Sequence, residues 1–98
     1  WKYTVRRRIL WQKRGSFPLK GSNWFHRPAP GADWKKDLRM LDDIHNSMRR
    51  AVASVKEADL GKRSRGSKVS NAAIIMGIAA HDIYHAGQIQ LLKRLTGR

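Results

Sequence analysis

A long amphipathic pattern in the middle of the chain limits the choice of fold. Apolar side chains recur there at spacings of three and four residues, at Trp34, Leu38, Leu41, Ile44, Met48, Val52 and Val55. This spacing lines one face of an α-helix. Asp33 is a candidate N-cap whose charge suits the helix dipole, and Gly61 is a candidate C′ glycine. The sequence thus predicts a helix over residues 33–60.

Two further helices are predicted on either side of this one. Residues 1–13 show helical spacing, with apolar side chains every four residues at Trp1, Val5 and Ile9. They predict a short helix with one apolar stripe. Residues 71–95 predict the last helix, with Ser70 or Asn71 as its cap.

Irregular segments separate the predicted helices. Residues 14–32 contain all three prolines of the chain, which predicts a long loop whose aromatic side chains cover the helices or another subunit. Residues 61–70 are polar, basic and interrupted by glycine, which predicts a mobile linker. No segment predicts a strand. We therefore expect a single all-α domain over residues 1–98, with antiparallel neighbouring helices.

Composition narrows the classes of function. The chain has 21 Lys and Arg against 7 Asp and Glu, a net charge of +14, which raises a nucleic-acid-binding alternative. Solvated helix faces explain the same excess, so nucleic acid is not the expected partner. No apolar run reaches membrane-span length and no signal peptide opens the sequence, so we expect a soluble cytoplasmic protein. Because Cys is absent, protein metal ligands are limited to His, Asp and Glu.

Two histidines on the last predicted helix carry the main functional signal. His81 and His85 are four residues apart, so both imidazoles leave one helix face and can converge on one ion. Aliphatic side chains share that stripe, at Ile74, Ile78, Ile89 and Leu92. We therefore expect both imidazoles to point into the core, where a divalent metal satisfies them. The alternative is a pair of core histidines hydrogen-bonded to other groups.

The residues around this pair resemble a known signature. In the run from His81 to Leu92, the two histidines are followed by a small residue, by Gly87 and Gln88, and by an aliphatic residue. This run resembles the C-terminal helix of the DinB-like superfamily. The helix that opens at Trp34 is similar to the third helix of that family. The resemblance covers about residues 33–95 and extends only loosely to residues 1–13.

The resemblance implies a fold and a cofactor. The fold is an up-down-down-up four-helix bundle, often a homodimer, and the cofactor is zinc or nickel held by three histidines. Two of these match His81 and His85. The third belongs to the second helix of the family, and this chain has no matching residue. We therefore expect it upstream of Trp1, in a chain that lacks its N-terminal helix; the uncapped start at Trp1 agrees with this expectation.

Two other histidines compete for the third ligand position. His45 lies among the apolar positions of the central helix and is the stronger of the two, although the resemblance implies a structural role for it. His26 lies in the predicted loop, beside aromatic residues, where a surface or interface role is expected. Asp82 either orients an imidazole or forms a salt bridge or dimer contact.

The sequence leads to one functional hypothesis with two alternatives. Characterised relatives in the resembling superfamily are metal-dependent enzymes that use low-molecular-weight thiols, which implies a thiol transferase acting on a small electrophile. The first alternative is a metal-binding or structural homodimer without turnover. The second is a nucleic-acid-associated basic module. No Ser-His-Asp set, phosphate-binding glycine loop or paired-carboxylate site is present, so hydrolysis without a metal is not expected.

Overall fold

The computed structural model of the protein describes residues 1–13, 33–64 and 66–97. Three α-helices occupy most of these ranges: α1 is Lys2–Ile9, α2 is Trp34–Ala53 and α3 is Asn71–Leu95. A 3₁₀ turn, Glu57–Asp59, lies between α2 and α3. Within the described ranges there is no strand beyond an isolated bridge between Arg63 and Ser70. The all-α expectation is confirmed for this part of the chain, and the predicted loop over residues 14–32 lies outside it.

Both predicted N-caps are confirmed. The Asp33 carboxylate accepts a hydrogen bond from the backbone N–H of Lys36 at 3.0 Å, which fixes the start of α2. The Ser70 hydroxyl accepts one from the N–H of Ala73 at 3.2 Å, which fixes the start of α3. Ser70, and not Asn71, is therefore the cap of the last helix.

The predicted end of the central helix is wrong. α2 ends at Ala53 and not near residue 60, and Gly61 is not its C′ glycine. The Ser54 hydroxyl donates to the carbonyl of Ala51 at 2.6 Å, and the backbone becomes extended at Lys56. The residues that follow α2 instead contact the start of α3, where the carbonyls of Asp59, Leu60 and Lys62 accept hydrogen bonds.

Residues 61–70 were expected to form a mobile linker, and their described part forms a hydrogen-bonded turn instead. The N–H of Asn71 donates to the Lys62 carbonyl at 2.8 Å, and the N–H of Ala72 donates to the Leu60 carbonyl at 2.9 Å. The Asn71 side chain, which is buried, donates to the Asp59 carbonyl at 3.0 Å. These bonds satisfy N–H groups that the first turn of α3 cannot satisfy within the helix.

The first helix is shorter than the predicted residues 1–13. α1 ends at Ile9 because Trp11 adopts a left-handed backbone conformation, with φ of 56°. The N–H groups of Trp11 and Gln12 then donate back to Arg8 and Arg7 at 3.2 and 2.9 Å, which closes the helix end as a Schellman motif.

A small core joins the three helices, and α1 contacts both of the others. Its buried apolar side chains are Val5 and Ile9 of α1, Met48 of α2, and Ile74 and Ile78 of α3. A hydrogen bond from the Arg6 guanidinium to the Ser47 hydroxyl, 2.8 Å long, adds a polar contact between α1 and α2. Because the core is this small, only a limited length of α3 is covered.

The two ends of α3 differ in burial. The buried residues of the helix, Asn71, Ile74 and Ile78, all lie in its first eight positions. From Ile83 to Gly97 every residue is exposed. No helix in the described part of the chain is long and apolar enough to cross a membrane.

Candidate metal centre

The two histidines predicted as metal ligands converge in the structure. His81 and His85 lie one turn apart on α3, and their Nε2 atoms are 3.2 Å apart. The two rings meet edge to face, with an angle of 83° between their planes. The i, i+4 spacing alone produces this convergence, since side chains four residues apart stack on one helix face.

This geometry suits two ligands of one divalent ion. Tetrahedral zinc with Zn–N bonds of about 2.0–2.1 Å separates two ligand nitrogens by about 3.3–3.4 Å. The observed Nε2–Nε2 distance of 3.2 Å is close to that separation, and without metal it is a hydrogen bond between the two imidazoles. Imidazole is also a common ligand for both zinc and nickel. The two imidazoles therefore fit zinc or nickel as two of its ligands.

The expectation that both imidazoles point into the core is wrong. His81 is half-buried, and His85 is exposed. The Trp1 ring lies 5.5 Å from the His81 ring and covers part of it. The pair sits where the covered part of α3 gives way to its exposed part, so one imidazole faces neighbouring helices and the other faces solvent.

A hydrogen-bonded side chain supports His85 from the next turn. The Nδ1 atom of His85 lies 2.7 Å from Oε1 of Gln88. The Gln88 amide nitrogen in turn donates to the Tyr84 hydroxyl at 3.2 Å. Gln88 belongs to the signature run that follows the two histidines, whereas the part played by Tyr84 gave no sequence signal beyond its four-residue spacing from Gln88.

Asp82 forms an ion pair with Lys2, which joins α3 to α1 beside His81. The Lys2 side chain is 14% exposed and the Asp82 side chain 43%, so the contact is partly shielded from water. The structure therefore agrees with the salt-bridge alternative for Asp82. Lys2 was not singled out from the sequence, because nothing in a helical pattern shows which distant carboxylate a lysine will meet.

A third ligand does not join the pair within the described residues. In that part of the chain, no group of three His, Asp or Glu side chains could hold a metal ion. His45 is half-buried on α2 and borders the same cavity as the pair without completing such a group. His26 lies outside the described residues. The expected ligand upstream of Trp1 stays a prediction.

An open cavity of about 570 Å³ lies beside the two imidazoles. All three helices line it, and most of its wall is apolar, including Trp1, Leu41, Ile44 and Ile89. Its volume falls in the range of small-molecule sites, roughly 300–1,000 Å³. The arrangement thus places two imidazoles at the wall of an apolar space large enough for a small organic molecule.

No protein-family model, curated protein or solved structure matches this chain. The DinB-like resemblance therefore rests on the run from His81 to Leu92 and on the central helix.

Proposed function

We propose that this chain binds a divalent metal, zinc or nickel, through His81 and His85, as part of a DinB-like four-helix bundle. The observation that carries the proposal is the 3.2 Å separation of the two Nε2 atoms. Two imidazoles alone leave most of the coordination positions to water or to a substrate. A third ligand on a neighbouring helix would complete the proposed site.

The reaction that this site supports best is transfer of a small thiol to an electrophile. A bound zinc or nickel ion supplies an open coordination position and lowers the pKa of a thiol placed there. His81 and His85 hold that position at the cavity wall. The apolar side chains of Trp1 and Leu41 line the open cavity where the electrophile would lie.

Neither Lys2 nor the basic segment 61–70 is placed to hold the carboxylate of an anionic thiol. Lys2 is paired with Asp82, so the described rim gives no free cation at this point for a carboxylate. The basic segment 61–70 precedes α3, and Ser70 lies 11 residues, about 16 Å along the helix axis, before His81. We therefore assign that segment no contact with a small thiol at the site.

A non-catalytic homodimer is the second candidate, and one observation favours it. The last four turns of α3 expose large apolar side chains, namely Ile83, Ile89, Leu91, Leu92 and Leu95. Covering them with a second copy would bury apolar area that a monomer leaves in water. The nucleic-acid alternative has only the net charge in its favour.

Calorimetric titration with zinc and with nickel tests the metal site. The wild-type chain should bind one ion, and His81→Ala and His85→Ala should each abolish measurable binding, while His45→Ala should retain it. Far-ultraviolet circular dichroism checks that each variant keeps its helices. If His45→Ala loses the metal as completely as His85→Ala does, then His45 is a ligand.

A turnover assay separates the two candidates. The metal-loaded chain is mixed with a small thiol and a chromogenic electrophile, and conjugation is followed against buffer and against His85→Ala. A rate that disappears in His85→Ala supports the transferase. Metal binding without any rate above buffer, together with a dimer in sedimentation, supports the non-catalytic homodimer.

A further inference from the structure

We propose that Gln88 is a positioning residue that holds His85 in a single tautomer, with the proton on Nδ1 and an unprotonated Nε2. The inference rests on the proposed metal site, because it is the Nε2 atom that a metal would use. It adds to that site a hydrogen bond, from His85 to Gln88, that sets which nitrogen of His85 carries the proton.

The first step is the contact between His85 and Gln88. The Oε1 atom of Gln88 carries no hydrogen, so it can only accept, and it lies 2.7 Å from Nδ1 of His85. With the amide in this orientation, Nδ1 donates. A neutral imidazole carries one N–H, so Nε2 is left as the unprotonated nitrogen.

The second step is where that lone pair points. Nε2 of His85 is the atom that lies 3.2 Å from Nε2 of His81, and without metal it accepts a hydrogen bond from that nitrogen in the proposed tautomer. In the opposite tautomer, Nε2 would carry hydrogen and could not bind a metal. Metal-binding histidines commonly donate their other N–H to an acceptor, which fixes ring and tautomer together. Gln88 occupies the place of that acceptor here.

The third step is what orients the amide. Gln88 donates its own N–H to the Tyr84 hydroxyl at 3.2 Å, which turns Oε1 toward His85. Because a hydroxyl can also donate, the reversed amide is the competing arrangement, with its NH₂ group toward Nδ1 and the proton of His85 on Nε2. The two arrangements predict opposite tautomers, so they can be told apart.

The helix spacing makes this device local. Tyr84, His85 and Gln88 lie within two turns of α3, and all three are exposed. No contact from α1 or α2 is required to hold them. Variants at Gln88 should therefore leave the small core intact, and a change at His85 can be attributed to the lost hydrogen bond.

Three variants test the proposal. Gln88→Leu removes both the acceptor and the donor, Gln88→Glu keeps an acceptor and removes the donor, and Gln90→Leu makes the same change as the first at an exposed position two residues away. Heteronuclear NMR of the imidazole nitrogens, recorded without metal, reports the His85 tautomer. We expect Nδ1–H in the wild type, in Gln88→Glu and in Gln90→Leu, and a mixture of tautomers in Gln88→Leu.

Titration with zinc gives the second readout. Gln88→Leu should weaken binding by about tenfold, the low end for loss of an outer hydrogen bond to a ligand. Gln88→Glu and Gln90→Leu should bind as tightly as the wild type or tighter. A wild type with Nε2–H at His85, or a Gln88→Leu variant whose His85 stays wholly Nδ1–H, would overturn the proposal.

The two readouts keep the two proposals apart. If the wild-type chain binds no metal but His85 is Nδ1–H and loses this preference in Gln88→Leu, the positioning role of Gln88 is supported and the metal function is rejected. If the wild type binds zinc and all three variants bind equally with unchanged tautomers, the metal function stands and the role of Gln88 is rejected.

Discussion

The two halves of α3, on either side of the His81–His85 pair, continue one apolar stripe but differ in how far that stripe is buried. Ile78 and Ile89 lie on the same apolar stripe, yet Ile78 is 6% exposed and Ile89 is 57% exposed. The difference arises because the core formed with α1 and α2 packs against only the first part of the helix, while Ile89 borders the open cavity. A helical stripe therefore shows which face is apolar and leaves open how far along its length that face is covered.

The His81–His85 pair proposed to bind metal lies at the boundary between these halves. His81 is half-buried next to Trp1, and His85, one turn later, is exposed with Gln88 as its partner. A site at such a boundary combines a half-buried imidazole with one that solvent and small molecules can reach. Paired substitutions, one in each half, show whether this contrast holds in solution.

The largest contrast should come from shortening one isoleucine in each half. We expect Ile78→Ala to lower the free energy of unfolding by about 2–4 kcal/mol, because it removes buried apolar contacts and leaves a cavity. Ile89→Ala should change it by less than about 0.5 kcal/mol, as exposed positions do. Urea unfolding measures both. Comparable losses would show that the second half is covered in solution, as in the proposed homodimer.

A smaller contrast is expected between two polar side chains. Asn71→Ala should cost about 1–2 kcal/mol, because it leaves the Asp59 carbonyl without its 3.0 Å hydrogen bond. Gln90→Ala, on the exposed half, should be close to neutral. Thermal unfolding measures the pair. A neutral Asn71→Ala would mean that the turn before α3 does not contribute to stability.

A third pair compares two lysines. Lys2→Met should destabilise the protein by about 1 kcal/mol, since Lys2 forms a partly shielded ion pair with Asp82. Lys93→Met removes an exposed charge from the last turn of α3, which should lower the free energy of unfolding by about 0.3 kcal/mol. Raising the salt concentration should shrink both effects. If Lys2→Met is salt-independent and neutral, the ion pair does not hold α1 to α3.

The smallest effect is expected at the turn before α3. The Lys62 ammonium, hydrogen-bonded to Asp59 at 2.7 Å, lowers the pKa of Asp59 below its usual 3.8, and Asp59 raises the pKa of Lys62 above 10.5. Both shifts stabilise the fold at neutral pH. The Asp59 contribution is lost as pH falls through its lowered pKa, and the Lys62 contribution as pH rises through its raised pKa.

Comparing Asp59→Asn with the wild type across pH tests this interaction. The variant should be slightly less stable at pH 7, and the difference should vanish below the lowered pKa of Asp59. Both side chains are largely in water, so the difference should be small. A stability difference that grows on acidification would contradict the sign of the Asp59 shift.

The sequence located the helices better than it located their ends. The recurrence of apolar residues from Trp34 onward predicted α2 because the period is a local property of the chain. Gly61 was wrongly taken as its end because the actual stop depends on distant partners: residues 59–62 supply carbonyls to the start of α3. Helix propensity is a local property of the chain, so it cannot predict hydrogen bonds to the start of a different helix.

The candidate site shows the same division. The convergence of His81 and His85 followed from their spacing, and the structure shows the two nitrogens 3.2 Å apart. Their burial did not follow, because it depends on where Trp1 and the ends of α1 and α2 lie. The pairing of Lys2 with Asp82, 80 residues apart, could not be read from either helix alone.

The position of α1 between α2 and α3 has a consequence for the order of events during synthesis. Ile78 follows Val5 by 73 residues, and ribosomes add about 5–20 residues per second, so roughly 4–15 s separate the two core partners. In the last part of that interval, after Met48 has been added, α1 can pair with α2 only, and its Val5 and Ile9 are covered on one side. The nascent chain thus presents an unfinished apolar groove until α3 emerges, a period in which chaperone binding or premature association of two chains would compete with correct closure.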